Sequence, residues 1–323
     1  MAAPIDSNRP RTLTEAIRHF DRETSGKYVA SIKWPDGPHC PKCGSVRVAT
    51  IPSRSRFQCR ETGCRKQFSI TTGTIMESTH LRLDQWIAAV WMIVNCRNGV
   101  SSCEIARTIG CKQQSAWHLL HRVRHVLAQE YATKFGGKYG SPVEADTTYI
   151  GGSLSNMSYD RQERARKAGR PYGNKVAVHA IRERKSGMIR ATVVDQDERN
   201  YAHREISKHV AQGSRLYTDR GSEYRWAGPS CTYRRESVNH SALEYVRGKV
   251  HVSGCENFFN CLRRAVKGTY IKPTPGHLAA YVDEAVFRFN VRKMSEWERF
   301  EQAMRPIVGK RLTYSELTDG AVR

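Results

Sequence analysis

The 323-residue sequence lacks any long hydrophobic run. Its longest apolar stretch, WIAAVWMIV at residues 86–94, is far shorter than the run of about 18 to 20 apolar residues that a membrane-spanning helix needs. The first residues also lack the apolar core of a secretory signal peptide. These absences predict a protein without a membrane partner, located inside the cell.

Acidic residues are scarce relative to basic ones. The chain has 53 Lys and Arg against 31 Asp and Glu, a net charge of +22, and the excess is spread along the chain rather than confined to a tail. Such an excess is typical of proteins that bind a polyanion, most often nucleic acid, although a merely basic protein is the alternative. With 39% hydrophobic residues, no repeat and no long low-complexity segment, the chain is expected to fold into two or three domains.

Because no secretory signal is present, the ten cysteines are expected to be metal ligands or buried thiols rather than disulfides. Four have the spacing of a zinc site: Cys40-Pro-Lys-Cys43 is followed, after 15 residues, by Cys59-Arg-Glu-Thr-Gly-Cys64. Two pairs that flank a hairpin-length insert are typical of tetrahedral Zn²⁺ with four thiolates, and four reduced thiols are the alternative. Four protein ligands leave no position for water, so this zinc would be structural.

Residues 79–133 have the pattern of a helix-turn-helix. LRLDQWIAAVWMIVNCRNG has an apolar helical face, Ser101 and Glu104 form a capping-box pattern, and Gly110 marks the turn into a second helix. An ordinary pair of antiparallel helices has the same pattern. The side chains expected to contact bases and phosphates are Lys112, Gln113, Gln114, Ser115, His118, Arg122 and Arg124.

A Gly-rich basic segment, KFGGKYGSP at residues 134–142, predicts a linker. Beyond it, hairpin strands followed by helix, strand and helix describe a mixed α/β sheet with helices packed on it. The sequence therefore predicts an α+β multidomain protein. Its parts are an N-terminal helical segment (1–33), a zinc ribbon (34–78), a helix-turn-helix domain (79–133), a linker (134–142), a catalytic α/β domain (143–300) and a C-terminal tail (301–323).

Three carboxylates come from separate elements of this sheet domain. Asp146 lies on the strand VEADTTYI and shares a face with Glu144, Asp219 ends the strand RLYTD, and Glu256 lies near the start of a helix. Read singly, each is an ordinary surface acid or helix cap. As an ordered trio they can converge on two divalent cations, which activate the attacking oxygen and stabilise the leaving oxygen in phosphodiester displacement. Carboxylate oxygens favour Mg²⁺ or Mn²⁺, and on the same helix Arg263 and Lys267 share the face of Glu256.

This order of motifs resembles the bacterial insertion-sequence transposases of the zinc-ribbon DDE group. The resemblance rests on EADTTYIGG, YTDRG, VNHSALEYVRGKVHVSGCENFFNCLRRAVKGTY and YVDEAVFRFNVRK, and covers residues from about 12 to 300. It implies an RNase H-like catalytic domain in which Asp146, Asp219 and Glu256 match the metal-binding triad. Arg263 stands seven positions after Glu256, where the family more often has Lys.

The chain departs from the family's pattern at two positions. Thr147 stands where an acid usually follows the catalytic Asp, and the HTNT-like approach to the Glu is here HVSG. Some members are interpreted as using Asn for the third ligand, so Asn257 is the rival of Glu256.

The resemblance implies a transposase that binds the terminal inverted repeats of its element through the zinc ribbon and helix-turn-helix. It would hydrolyse a phosphodiester to expose a 3′-OH and join that hydroxyl to target DNA, with Arg263 and Lys267 holding terminal phosphate or base groups. Joining two ends at once implies at least a homodimer on double-stranded DNA, at the nucleoid in the bacterial cytoplasm. The alternatives are a non-catalytic DNA-binding regulator derived from a transposase, and an RNase H-like structure-specific nuclease that never joins strands.

Overall fold

The computed structural model describes residues 9–151, 158–167, 175–194, 200–227, 232–239, 242–271 and 273–319. The ends of the two predicted terminal segments, residues 1–8 and 320–323, lie outside the described residues, as do His240 and Ser241 of the VNHSALEYVRG motif. The described chain forms two compact units. The first contains the residues up to Leu127 and those from Lys293 onward, and the second is Ala128–Arg292.

The first unit is mainly helical, with a small antiparallel sheet in the order β1-β2-β3. Its helices are α1 Leu13–His19, α2 Arg22–Lys33, α3 Leu83–Asn95, α4 Ser102–Ile109, α5 Gln113–Leu127, α10 Glu296–Met304 and α11 Tyr314–Thr318. Its strands are β1 Val48–Ile51, β2 Arg56–Cys59 and β3 Gln67–Phe68. Helix α4 begins with the predicted capping box, in which Ser101 Oγ accepts from the Glu104 N–H and the Glu104 carboxylate accepts from the Ser101 N–H. No helix among the described residues is long and apolar enough to cross a membrane.

The C-terminal segment belongs to the first unit rather than to a catalytic domain or a free tail. Phe300 on α10 is fully buried, and its ring centroid lies 5.4 Å from that of Trp91 and 5.5 Å from that of Phe20. Burying this aromatic cluster removes a large apolar area from water. The structure therefore moves the boundary predicted at residue 300 back to Arg292.

The second unit is built on a five-stranded sheet in the order β10-β9-β5-β6-β7. Strands β5, β6 and β7 are antiparallel neighbours, whereas β9 runs parallel to β5 and β10 runs parallel to β9. The strands are β5 Val143–Ile150, β6 Val176–Glu183, β7 Ile189–Val194, β9 Arg215–Asp219 and β10 Arg234–Val238, with a separate short pair of β4 Phe135–Gly136 and β8 Val210–Ala211. The helices are α6 Tyr159–Lys167, α7 Tyr201–His209, α8 Ser253–Arg264 and α9 Leu278–Val291, and a π-helical turn, Ala265–Tyr270, extends α8.

Helices cover both faces of this sheet. Ile150 of β5 packs with Phe258 of α8 on one face, whereas Val143 and Ala145 pack with Ile206 of α7 on the other. The alternation of side chains along VEADTTYI is therefore confirmed, and the face that carries Asp146 is the one that α8 covers.

The predicted linker is a packed part of the second unit. Phe135 is buried in the core on the α7 side. A β-carbon added to Gly136 would lie 2.4 Å from Ser214 Oγ, and one added to Gly140 would lie 2.2 Å from the Gly136 carbonyl oxygen. These two glycines therefore permit close packing, and the segment predicted as a linker belongs to the second unit.

Candidate active site

Asp146 and Asp219 follow the last paired residues of two neighbouring parallel strands. In the β5–β9 ladder, Ala145 lies opposite Thr218, and the pairing ends there. Each aspartate is the next residue of its strand. The two carboxylates therefore emerge side by side where β5 and β9 part, with Asp219 at the carboxyl end of β9, the place where open α/β sheets bind ligands.

A fourth carboxylate, which the sequence analysis missed, lies in the turn after Asp219. Glu223 belongs to the 3₁₀ turn Ser222–Tyr224. A β-carbon built on Gly221 would lie 2.4 Å from Glu223 Oε2 and 2.9 Å from Asp219 Oδ1, so both carboxylates approach the same glycine. The Gly221 N–H also donates to Asp219 Oδ1 at 3.0 Å. A single Glu in a turn has no periodicity that could have revealed it.

The charges of these groups act on Asp146. Burial, and next the charge of Asp219, raise the pKa of Asp146 to about 8, and Glu256 and Glu223 also raise it. Asp146 thus experiences the negative charge of three carboxylates from β9, the following turn and α8. Among the described residues, only the four cysteines bring three or more ligand atoms within 4.8 Å of one another, so the carboxylates surround a wider space than the thiolates do.

This donor set fits hard divalent cations. Carboxylate oxygens are the ligands that Mg²⁺ and Mn²⁺ prefer, and Mg²⁺ usually keeps several of its waters and takes only one or two carboxylates directly. A wide group of carboxylates therefore suits it better than a closed cage. A bound cation would also offset the mutual repulsion that raises the pKa of Asp146. Asp146, Asp219 and Glu256 could hold such ions, and we call these three residues the carboxylate site.

Glu144 ties the start of α8 to β5. Its carboxylate is fully buried and accepts from Arg184 Nε at 2.7 Å, from the Gly254 N–H at 2.9 Å and from Arg182 Nη1 at 3.4 Å. Gly254 is the second residue of α8, where unpaired N–H groups favour an anion. Glu144 therefore lies behind the site, holding the helix two residues before Glu256.

An open groove of about 760 Å³ runs along the exposed side of α8 and its π-helical extension. The Arg263 guanidinium donates to the Thr148 hydroxyl of β5 and to Asn260 Oδ1. Three cations in one groove suit an anionic ligand. The residues that line the groove are Asn257, Asn260, Arg263, Arg264, Lys267 and Gly268.

In the first unit, α4 and α5 are joined by a short turn in which Gly110 has a φ of +68°. The Gln113 side chain donates to Ser102 Oγ at 2.7 Å, which fixes the start of α5 against α4. Four of the side chains predicted to contact DNA are exposed at this start, namely Lys112, Gln113, Gln114 and Ser115.

The remaining predicted contacts on α5 face the protein interior. Arg122 is 6% exposed and donates to the carbonyl groups of Leu312, Ile75 and Glu77 at 2.8–3.1 Å. His118 is half-buried beside the ring of Tyr314. The C-terminal segment covers this side of α5, and this corrects the role expected for Arg122.

Arg124 is 1% exposed and likewise faces inward. The polar character of these side chains suggested an exposed surface, and the carbonyl partners that bury Arg122 are distant in sequence.

The four predicted zinc ligands lie together in the first unit. All four Sγ atoms lie within 4.8 Å of one another, with Cys40 3.6 Å from Cys64 and Cys43 3.6 Å from Cys59. A tetrahedral zinc ion with Zn–S bonds of about 2.3 Å places its sulfurs about 3.8 Å apart. The cluster fits structural zinc.

Two family models match the chain. Residues 138–290, which contain the carboxylate site and the groove, match the ISXO2-like transposase domain. Residues 22–67, which contain the four cysteines, match the transposase zinc-ribbon domain. A Halobacterium salinarum protein named "Uncharacterized protein in transposable element ISH50" is 24% identical over 244 residues, covering 73% of this chain and 80% of that protein.

Proposed function

Because the chain belongs to the transposases that combine a transposase zinc-ribbon domain with an ISXO2-like transposase domain, we propose that it is a metal-dependent DNA transposase of the DDE type. The observation that carries the proposal is the position of Asp146 beside Asp219 where the parallel strands β5 and β9 part, with Glu256 acting on the carboxylate of Asp146. The order of strands, three antiparallel and two parallel, supports an RNase H-like fold for the second unit.

The three residues of the carboxylate site would hold two Mg²⁺ or Mn²⁺ ions. Such ions, when bound, supply Lewis acidity for the attacking and leaving oxygens of an in-line phosphodiester displacement. In the first step, water attacks the phosphorus atom and the P–O3′ bond breaks, which leaves a 3′-OH on the element end. In the second, that hydroxyl attacks a phosphodiester of target DNA, and the bond formed replaces the bond broken.

The groove beside α8 supplies the charge that DNA requires. Arg263, Arg264 and Lys267 line it, and each can bind phosphate oxygens of the DNA end. The Thr148 hydroxyl accepts from Arg263 and holds that guanidinium on the strand that carries Asp146. Of the two rivals for the third metal ligand, Asn257 lines the groove. Glu256 is the one whose charge acts on Asp146, which supports Glu256 as the ligand.

The first unit would bind the terminal inverted repeats. The exposed side chains from Lys112 to Ser115 at the start of α5 support a helix-turn-helix with α5 as the recognition helix. The zinc ribbon adds a second contact, for its exposed basic side chains outnumber its acids. They are Lys42, Arg47, Arg54, Arg56, Arg60, Arg65 and Lys66.

The test is DNA cleavage and joining by the purified protein with Mg²⁺ or Mn²⁺ and duplexes that carry the inverted repeats flanking the gene. We expect new 3′-OH ends and joined products for wild type, and neither for Asp219→Ala. Glu236→Gln, an exposed acid on the neighbouring strand β10, should behave as wild type. End binding without cleavage by wild type would establish the regulator instead, and cleavage without joined products would establish a nuclease.

Since two ends must be joined at once, the active form would be at least a homodimer assembled on DNA. The mass of the complex with two end duplexes, measured by light scattering, would show this. A complex of one chain with one end under conditions that support joining would contradict it.

A further inference from the structure

Glu223 lies beside two hydroxyl groups. They belong to Thr147 and Tyr201. Thr147 lies on β5 directly after Asp146, and Tyr201 is the first residue of α7. The Tyr201 hydroxyl lies 3.4 Å from Thr147 Oγ1. Two structural elements therefore place hydroxyl groups beside one carboxylate that itself comes from a third.

A buried histidine stands behind Thr147. His179 Nδ1 lies 3.0 Å from Thr147 Oγ1 and 3.4 Å from the Tyr224 hydroxyl. His179 is fully buried, and burial lowers its pKa to about 3, so the ring is neutral. Its Nε2 has no hydrogen-bond partner within the described parts of the chain. Because a buried N–H without an acceptor is costly, the single ring proton belongs on Nδ1.

This tautomer sets the direction of the hydrogen bonds. With its proton on Nδ1, His179 donates to Thr147 Oγ1, and the Thr147 hydroxyl proton is then free to donate to Glu223. The arrangement resembles the outer shell that holds a metal-binding carboxylate in one orientation.

Within the described chain, the guanidinium of Arg235 donates to the Thr218 hydroxyl and to the backbone carbonyl of Asp219, not to the carboxylate of Asp219 or Glu223. The two carboxylates nevertheless approach the same glycine, Gly221.

We propose that Glu223 is a fourth metal-binding carboxylate, which holds a divalent cation together with Asp219. The inference rests on the proposed function, because it adds a ligand to the same carboxylate site. Thr147 is then a positioning residue, since it touches the ligand and not the ion.

The test is Mn²⁺ binding to the zinc-loaded protein without DNA, measured by titration calorimetry and by the paramagnetic resonance of free Mn²⁺. The variants are Glu223→Gln, which keeps the shape of the side chain, Asp219→Asn, and Glu236→Gln as the exposed control. We expect Glu223→Gln to weaken Mn²⁺ binding at least about tenfold, Asp219→Asn to weaken it at least as much, and the control to match wild type.

Thermal unfolding separates a ligand from a structural residue. Without Mn²⁺, Glu223→Gln should unfold at the same temperature as wild type or a higher one, because the repulsion with Asp219 is gone. With Mn²⁺, the variant should gain less in its unfolding temperature than wild type does. A lower unfolding temperature without metal, with Mn²⁺ affinity unchanged, would show a purely structural role and overturn the proposal.

The outcomes for the two acids distinguish this inference from the proposed function. If Asp219→Asn loses Mn²⁺ affinity and Glu223→Gln keeps it, Glu223 is no ligand while the proposed metal site stands. If both variants bind Mn²⁺ as wild type does, the carboxylate site itself is wrong and both proposals fail. Weaker Mn²⁺ binding by both variants, with the control unchanged, supports both proposals.

Discussion

The carboxylate of Glu144 accepts a hydrogen bond from the backbone N–H of Gly254 at 2.9 Å. This contact joins the strand that carries Asp146 to the helix that carries Glu256, each two residues away. Gly254 is required there, since a β-carbon would lie 2.2 Å from Arg182 Nη1 and 2.5 Å from Glu144 Oε2. The relative position of the two proposed ligands therefore depends on a buried acid that is not itself at the metal.

Glu144→Gln should destabilise the second unit. The change leaves Arg182 and Arg184 without their charged partner, and each of these side chains is only 19% exposed. Removing one member of a buried ion pair typically costs about 3–5 kcal/mol. Urea unfolding of the metal-free protein should show a loss of roughly this size. Glu236→Gln removes an exposed charge and should change the unfolding free energy little; equal effects of the two variants would contradict the anchoring role of Glu144.

Cys43→Ser should remove zinc and weaken end binding while the second unit keeps its metal site. Its Sγ lies 3.6 Å from Cys59 Sγ within the four-sulfur cluster, so its loss opens the tetrahedral site. Zinc content, binding to an end duplex and Mn²⁺ binding, measured on one preparation, test the three parts of this prediction. The exposed Cys103→Ser is the matched control for loss of a thiol. Unchanged end binding by a zinc-free Cys43→Ser protein would show that the ribbon does not contact the DNA ends.

His179→Gln should make unfolding less sensitive to acid. Burial lowers the pKa of His179 to about 3, with His209 as a smaller cause, against about 6.5 in an unfolded chain. Between these values the unfolded state binds more protons. The stability that neutral His179 supplies is therefore complete above pH 6.5 and is lost as the pH falls towards 3.

The comparison of wild type with His179→Gln isolates this effect, because other groups titrate in both proteins. The advantage of wild type in unfolding free energy should shrink by up to about 1.4 kcal/mol for each pH unit below 6.5. If the difference in unfolding free energy between wild type and His179→Gln stays constant from pH 7.5 to 4.5, His179 is not a neutral buried histidine.

Patterns local in sequence predicted much of this structure. The period of two along VEADTTYI correctly separated Asp146 from Val143 and Ala145, and the spacing of the cysteines correctly predicted the four-sulfur cluster. The hairpin strands predicted after residues 134–142 are also confirmed, because β6 and β7 pair as antiparallel neighbours. In each case the structure is determined by residues a few positions apart, or by the set of ligands that a single metal ion requires.

Contacts between distant residues were not predictable in this way. Gly140 was predicted to lie in a linker, but it packs closely against the Gly136 carbonyl. Glu223 lies beside the hydroxyls of Thr147 and Tyr201, which no spacing connects to it. Helix periodicity likewise assigns one buried stripe to α5 and cannot show that a segment about 190 residues later covers another, which is how Arg122 was misplaced.

Because Arg122 is buried, variants of exposed residues at the start of α5 can be compared with an Arg122 variant to locate the face of α5 that binds DNA. Lys112 and Gln114 are exposed at the start of the helix, so their loss should affect DNA and leave folding unchanged. Lys112→Ala should weaken binding to all sequences and reduce the salt slope by about one, as expected for one phosphate contact. Gln114→Ala should instead relax the preference for the element end over unrelated DNA, since amide side chains read base edges.

Arg122→Met should have the reverse effect, on folding rather than on DNA binding. Its guanidinium donates to three backbone carbonyls and the residue is only 6% exposed, so the change should lower the unfolding free energy of the first unit by about 2–4 kcal/mol. Where the variant remains folded, its affinity for the end duplex and its salt slope should match wild type. Binding measured by fluorescence anisotropy at several salt concentrations, together with urea unfolding, separates the two classes. A reduced salt slope in folded Arg122→Met, or unfolding caused by Lys112→Ala, would reverse the assignment of the two faces of α5.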